Sequence, residues 1–191
     1  MPLLTARSPL PRRPRRVLVA GTSGAGKTTV AARVGDALGI GPVEIDALFH
    51  GPGWRPREQF LADVETFTAG PTWVTEWQYG VARPLLAERA DLLVWLDLPR
   101  HTVMRQVVRR TLRRRLRREV LWNGNVEPPL WRVLVDDEHI IRWSWRTHPR
   151  TTHRALDLLA ARPELPVVRL ASSDEVATWI EGPLAAAGQP H

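Results

Sequence analysis

The sequence has no cysteine, so disulfide frameworks and thiolate metal sites are excluded. Lysine is almost absent as well: of the 27 lysine and arginine residues, Lys27 alone is a lysine. No apolar run reaches the roughly 18 residues of a membrane-spanning helix. The first residues, Met1 to Arg16, lack an apolar stretch of signal-peptide length. The corresponding expectations are a cytoplasmic protein with no membrane partner. Proline and arginine dominate that opening segment, and residues 1–15 read as a flexible, solvated tail.

What remains is a chain of 191 residues, 43% hydrophobic, which suits one domain with a sizeable core over residues 16–191. The net charge is +7, and the excess is uneven, with eight arginines between Arg105 and Arg118. The lone lysine stands in Gly21-Thr22-Ser23-Gly24-Ala25-Gly26-Lys27-Thr28. That run meets the phosphate-loop pattern G-x-x-x-x-G-K-[ST] at every defined position. A chain that uses arginine elsewhere keeps a compact ammonium where a planar guanidinium does not substitute.

The surroundings agree with the motif. Val17 to Ala20 is a short apolar run that feeds the glycine-rich loop. Thr28 to Leu38 carries Val30, Val34 and Leu38 at helical spacing and stops at Gly39. Val43 to Asp46, Thr72 to Thr75 (closing at Glu76), Leu92 to Asp97 and Val167 to Leu170 read as further strands. Pro56 is expected to open a helix through Phe67, and Thr102 to Val120 a long basic one. Trp122 to Asn125 reads as a turn. Leu130 to Arg146 and Thr151 to Ala161 read as two helices split by Pro149, and Ser172 with Glu175 as a capping box. Alternating strands and helices predict an α/β fold: three layers, α/β/α, around a five-stranded parallel sheet with right-handed crossovers. Ligands bind at the carboxyl edge of such a sheet, where Asp46, Glu76 and Asp97 collect with the loop.

The chemistry follows from residue types. Successive backbone N–H groups at a helix N-terminus suit a polyphosphate. The whole run Gly21, Thr22, Ser23, Gly24, Ala25, Gly26, Lys27, Thr28 and Thr29 is the candidate nucleotide site. Lys27 is placed between β- and γ-phosphates, Thr28 on Mg²⁺ and Thr29 at the α-phosphate. ATP or GTP with Mg²⁺ is the expected donor. A carboxylate is expected near the metal; of the three, Glu76 is preferred there, Asp46 is preferred near the acceptor, and Asp97 is left as a strand-end acid. Arg105, Arg109 and Arg113 share one helix face, and Arg105 and Arg109 are the candidates to reach phosphate. Arg110, Arg114 and Arg117 point elsewhere on that reading. Nucleic acid is the other partner such a block suggests, with the weaker claim. Trp73, Trp95 and Trp179 fall on core faces. Trp54, Trp77 and Tyr79 fall at the ligand edge, either stacking on a planar acceptor or roofing the core. The histidines show no metal spacing.

The order of segments has a likeness of its own. The loop is followed by Ile45-Asp46, Gly53-Trp54, Trp73-Val74 with Gln78-Tyr79, and Leu96-Asp97-Leu98-Pro99-Arg100. The arginine helix, Asn123-Gly124-Asn125-Val126-Glu127 and Trp143 to His148 come after. Over about residues 16–180 this resembles the bacterial P-loop proteins related to adenylate kinase that are often labelled "topology modulation protein". The resemblance implies a nucleoside- or small-molecule-kinase fold with a helical lid over about residues 105–150. It implies ATP and magnesium at Gly21, Gly24, Gly26, Lys27 and Thr28, the acceptor side at Asp46, and the lid at Arg105 and Arg109. The chain departs from adenylate kinases where Glu76-Trp77-Gln78-Tyr79-Gly80 replaces the Asp-Gly-Phe-Pro-Arg type of segment. The expectation is Mg-dependent transfer of the γ-phosphate of ATP to a small-molecule or nucleotide acceptor. The alternative is an ATP-binding regulator that associates with nucleic acid.

Overall fold

Five parallel strands form the centre of the protein in the order β2-β3-β1-β4-β5. The structure is a computed structural model and describes residues 3–117, 120–125 and 140–188. The strands are β1 (Arg16–Gly21), β2 (Pro42–Val43), β3 (Trp73–Glu76), β4 (Leu92–Leu96) and β5 (Val167–Leu170). Between and after them lie α1 (Lys27–Leu38), α2 (Ile45–Phe49), α3 (Phe60–Thr68), α4 (Arg83–Arg89), α5 (Arg100–Leu116), α6 (Ile140–Ala161), α7 (Ser173–Trp179) and α8 (Ala185–Gly188).

Strand alternation sorts the core into two layers. Val17 and Val19 of β1, with Val94 and Leu96 of β4, face α1, α5 and α7. Leu18 and Ala20, with Leu93 and Trp95, face α3, α4 and α6. Both faces are covered, which is why these strands read as unbroken apolar runs. Trp73 and Trp179 are fully buried, as their positions predict. Each buried leucine or valine adds about 1.5–3 kcal/mol relative to an exposed one.

Several local expectations are corrected. Asp46 does not end a strand: β2 stops at Val43, and Asp46 occupies the first turn of α2. Pro56 does not open a helix. It pairs with His50 in an antiparallel bridge flanked by Gly51 N–H to Arg55 O at 2.7 Å and Arg57 N–H to Phe49 O at 2.9 Å. A residue without an N–H is tolerated at such an edge, and α3 begins only at Phe60. Helix α6 runs through Pro149. A proline there removes the bond to the carbonyl four residues back, that of Trp145. The freed carbonyl accepts instead from the Arg100 guanidinium, which also lies 3.7 Å over the Trp145 ring. Leu130 to His139, with Val126, Glu127 and Arg118, lie outside the described residues.

The opening segment is docked rather than free. Leu4 forms a parallel bridge with Val168 on the outer edge of β5, with N–H to Val167 O at 2.8 Å. Arg13 donates to Leu38 O at 2.7 Å and to Gly188 O at 2.8 Å. Buried Ala6 joins the core, so apolar side chains and an open sheet edge hold a segment that composition alone marked as solvated. Ser172 caps α7 as expected, accepting from Glu175 N–H at 3.1 Å, while the Glu175 carboxylate accepts from Ala171 N–H at 2.7 Å.

Candidate functional site

The loop Gly21–Thr28 joins β1 to α1 at the carboxyl edge of the sheet. Gly24 and Gly26 have φ of +88° and +91°, which only glycine adopts without strain. A Cβ on Gly24 would come within 1.9 Å of Val107 Cγ2, so the loop is pressed against α5. Gly26 precedes α1 without any side-chain cap, and the first turn holds no acid. The orphan N–H groups and the positive end of the helix dipole are thus left for an external anion.

Lys27 supplies the charge. It is 8% exposed, and its Nζ makes one long hydrogen bond, 3.4 Å, to Thr22 O. Burial lowers its pKa, the nearby charges of Asp46 and Glu76 oppose this, and Arg110 adds to the lowering. An ammonium has three donors, so this one is buried well short of satisfaction among the described residues. Thr28 Oγ1 donates to Glu76 Oε1 at 2.7 Å, and Ile45 N–H donates to Glu76 Oε2 at 3.3 Å. Glu76 is 2% exposed, and burial raises its pKa above the usual carboxylate range, against the pull of the Thr28 hydrogen bond.

Across the cleft, Asp46 Oδ1 accepts from Tyr79 OH at 2.5 Å and from Gln78 Nε2 at 3.0 Å. The Tyr79 hydroxyl also lies 3.1 Å from His50 Nε2, and its ring stacks on Phe49 at 3.8 Å. Burial, then the Asp46 charge, raises the Tyr79 pKa, so the hydroxyl stays protonated as the donor. Trp122 Nε1 donates to Glu44 Oε2 at 2.6 Å, and buried Asn125 donates to Gly51 O at 3.0 Å. These bonds close the turn 122–125 over that end of the cleft. Among the described residues, three non-glycine residues have positive φ: Trp54, Tyr79 and Asn123. All three belong to this end, where strain of about 1–3 kcal/mol each marks a shape the surroundings impose.

The cleft that these parts line encloses about 1710 Å³. Single small-ligand sites span roughly 300–1,000 Å³, so the space is larger than one such site.

Similar solved structures bear on the fold. A gluconokinase from Sinorhizobium meliloti 1021 superposes with a TM-score of 0.52 at 21% identity, over 93% of this chain and 92% of that one. The two share a fold, a five-stranded parallel sheet with helices on both sides. A sugar kinase from Janibacter sp. HTCC2649 gives 0.47 at 19% identity over all of both chains. A shikimate kinase from Bacteroides thetaiotaomicron gives 0.49 at 12% identity, over 88% of this chain and 95% of that one. These two weaker likenesses add no weight. No protein-family model matches the chain, and no curated protein does. Nothing in these comparisons bears on the topology-modulation label.

Within this fold, the predicted residues fall in different places. Residues Gly21 to Thr29 line the cleft together with Asp46, and Glu76 adjoins it through Thr28. Asp97 is occupied elsewhere, bonded to Arg169 Nε at 2.7 Å and Thr152 Oγ1 at 3.4 Å. The arginine stripe is shifted. Arg109 lines the cleft, but Arg105 is on the outer face of α5 with Met104, Val108 and Leu112. Arg110 and Arg114, assigned to another face, line the cleft beside Arg109 and Arg113. Helix phase decides this: buried Val103, Val107 and Thr111 mark the inner side of α5. Met104, Val108, Leu112 and Leu116 form an equally regular apolar stripe outside, so periodicity alone left two choices. Trp54, Trp77 and Tyr79 line the cleft as anticipated. Among the described residues no group of histidines and acids could hold a metal by itself. His148 packs, its Nε2 lying 3.0 Å from Leu98 O, and His139 lies outside the described residues. Sequence reasoning missed His50, Arg83, Thr147, Thr151 and Arg154. Thr147, Thr151 and Arg154 recur at helical spacing across Pro149, a signal hidden by the assumed break.

Proposed function

We propose that the protein is a phosphotransferase that moves the γ-phosphate of ATP, or GTP, to a hydroxyl of a small acceptor. The observation that carries this is the buried, under-bonded Lys27 ammonium beside an uncapped helix N-terminus. Both ask for the same polyphosphate.

Magnesium fits the residues present. Thr28 and Glu76 offer hard oxygen ligands side by side, and burial disfavours the Glu76 charge, which a cation there would favour. Thr28 would hold the ion with Glu76 behind it, and the ion would neutralise phosphate charge. This chain's own groups do the rest. The loop N–H groups and Lys27 position the triphosphate. The acceptor oxygen forms a bond to the γ-phosphorus as the bond to the β–γ bridging oxygen breaks, and Asp46 takes the hydroxyl proton. Tyr79 and Gln78 fix the Asp46 carboxylate for that step. Arg109, Arg110, Arg113 and Arg114 meet the charge that develops on the transferred group. The segment from about residue 105 to 150 acts as a lid that excludes water. Ser144 Oγ donating to Ser23 O at 2.7 Å supports its seating on the loop. The cytoplasm is the matching location. No specific observation favours nucleic acid: Arg100 is engaged with Trp145, Arg13 with two carbonyls, and the inner arginines of α5 face the cleft.

The test is ADP release by the pure protein against panels of hydroxyl compounds, compared with Lys27→Ala. Lys27→Ala should lose turnover and keep its circular dichroism spectrum. Unchanged turnover in that variant refutes the reading.

A further inference from the structure

His50 lines the cleft beside Asp46 and Tyr79, yet the transfer just described gives it no task. Its backbone is pinned, with N–H donating to Asp46 O at 3.0 Å and carbonyl accepting from Asn123 Nδ2. Its ring stands edge-on to Phe49 and Trp54, with centroids 5.0 and 5.1 Å away. Packing thus fixes the imidazole with Nε2 3.1 Å from the Tyr79 hydroxyl. Nδ1 is buried and has no partner among the described residues. That asymmetry selects a tautomer. In a neutral imidazole one nitrogen donates and the other accepts. A proton on Nδ1 would be a buried N–H without an acceptor, at the full cost of desolvation. Nε2 would then face the tyrosine oxygen lone pair to lone pair, or draw the tyrosine proton away from Asp46. A proton on Nε2 avoids both: it donates to the Tyr79 oxygen, and the tyrosine proton stays on Asp46 Oδ1 at 2.5 Å. Gln78 donates to the same Oδ1 at 3.0 Å, so Oδ2 accepts no hydrogen bond among the described residues. Tyr79 is held at a φ of +56°, a costly conformation for an aromatic residue, and it places the hydroxyl between these two partners.

We propose that His50 is a positioning residue for the base: its Nε2–H donates to Tyr79, commits the tyrosine proton to Asp46 Oδ1, and leaves Oδ2 as the atom that takes the acceptor's proton. This rests on the phosphotransferase reading and adds to it the orientation of the base. Linked hydrogen bonds polarise one another, so the donation from His50 strengthens the bond that Tyr79 makes to the carboxylate. A carboxylate with one oxygen held by two donors is hindered from turning about its Cβ–Cγ bond. The acceptor hydroxyl then meets one fixed oxygen rather than two interchanging ones. His50 acts only through Tyr79 and touches neither substrate in this role.

The experiment uses the full chain and separates the two claims. Calorimetry with Mg²⁺ and a non-hydrolysable ATP analogue tests the donor site first; failure there sinks the phosphotransferase reading itself. The hydrogen-bond chain is tested without any substrate, by ¹⁵N NMR of the histidine rings at alkaline pH. The His50 signals, assigned by their loss in His50→Gln, should show the proton on Nε2. Turnover is then read as ADP release with the hydroxyl compound that gives the fastest rate, or with water as acceptor. His50→Phe keeps an aromatic ring between Phe49 and Trp54 but has no donor. It should lower kcat about 2–12-fold, the worth of one neutral hydrogen bond, with KM and analogue affinity unchanged. His50→Gln, whose amide can donate to Tyr79, should recover most of that loss. In a Tyr79→Phe background the chain is already cut, so His50→Phe should lower kcat no further. A proton on Nδ1 overturns the proposal. So does a His50→Gln variant no better than His50→Phe, an undiminished effect of His50→Phe in the Tyr79→Phe background, or a loss that falls on KM or analogue affinity instead of kcat.

Discussion

Replacing Gly24 by alanine probes how the phosphate loop is held. Two costs combine at this position. A φ of +88° strains any side chain by about 1–2 kcal/mol. The new Cβ would also sit 1.9 Å from Val107 Cγ2, and forcing a methyl into a packed core costs about 1–3 kcal/mol. The sum is about 2–5 kcal/mol. For a chain of this size each kcal/mol lowers Tm by about 2–4 °C, which gives roughly 4–20 °C. Gly26 is the control. Its φ is +91°, but nothing lies within 4 Å of an added Cβ, so Gly26→Ala should cost only the strain, about 1–2 kcal/mol. Val107→Ala removes the obstructing methyls, and the double variant with Gly24→Ala should lose less than the two single losses combined, by about 1–3 kcal/mol. Thermal unfolding by circular dichroism reads all four proteins. If Gly24→Ala is no worse than Gly26→Ala, or if its loss adds simply to that of Val107→Ala, the loop is not seated on α5 as described.

Asp46→Asn keeps an acceptor for Tyr79 and Gln78 but no base, so kcat should fall about 10²–10⁴-fold with little change in ATP affinity; a large loss of affinity would move Asp46 to the donor side. Glu76 has a raised pKa through burial, so its protonated form is favoured by folding. That stability is present below the usual carboxylate range and is lost as pH rises through the folded value. Without ligand, Glu76→Gln should therefore gain Tm over wild type increasingly from pH 4 to pH 7, while losing the further rise that Mg²⁺ and ATP give wild type. A fall in Tm across that range would contradict the assignment. Pro149→Ala restores an N–H that competes with Arg100 for the Trp145 carbonyl, and should change stability less than Arg100→Ala, as judged by urea midpoints.

The sheet and the phosphate loop were legible because their signals are local. Buried parallel strands read as apolar runs, and the motif dictates its own turn. Helix α2 was not legible: Ile45–Phe49 is too short for periodicity to separate it from a strand, and tertiary contact between Ile45 N–H and Glu76 sets its start. Pro149 read as a break because the guanidinium that replaces its missing bond comes from a residue 49 positions earlier in the chain.

The strip of chain that crosses the outer edge of β5 has a practical consequence. Leu4 satisfies the Val167 carbonyl and the Arg169 N–H, with its own carbonyl accepting from the latter at 2.9 Å. Trimming residues 1–14 as a dispensable leader would bare those groups on a strand whose inner face is apolar. Unpaired edges of that kind invite the same edge of another molecule. The arginine-rich opening segment is thus also the chaperone of its own sheet, and a shortened protein should be judged by its tendency to self-associate before its activity is measured.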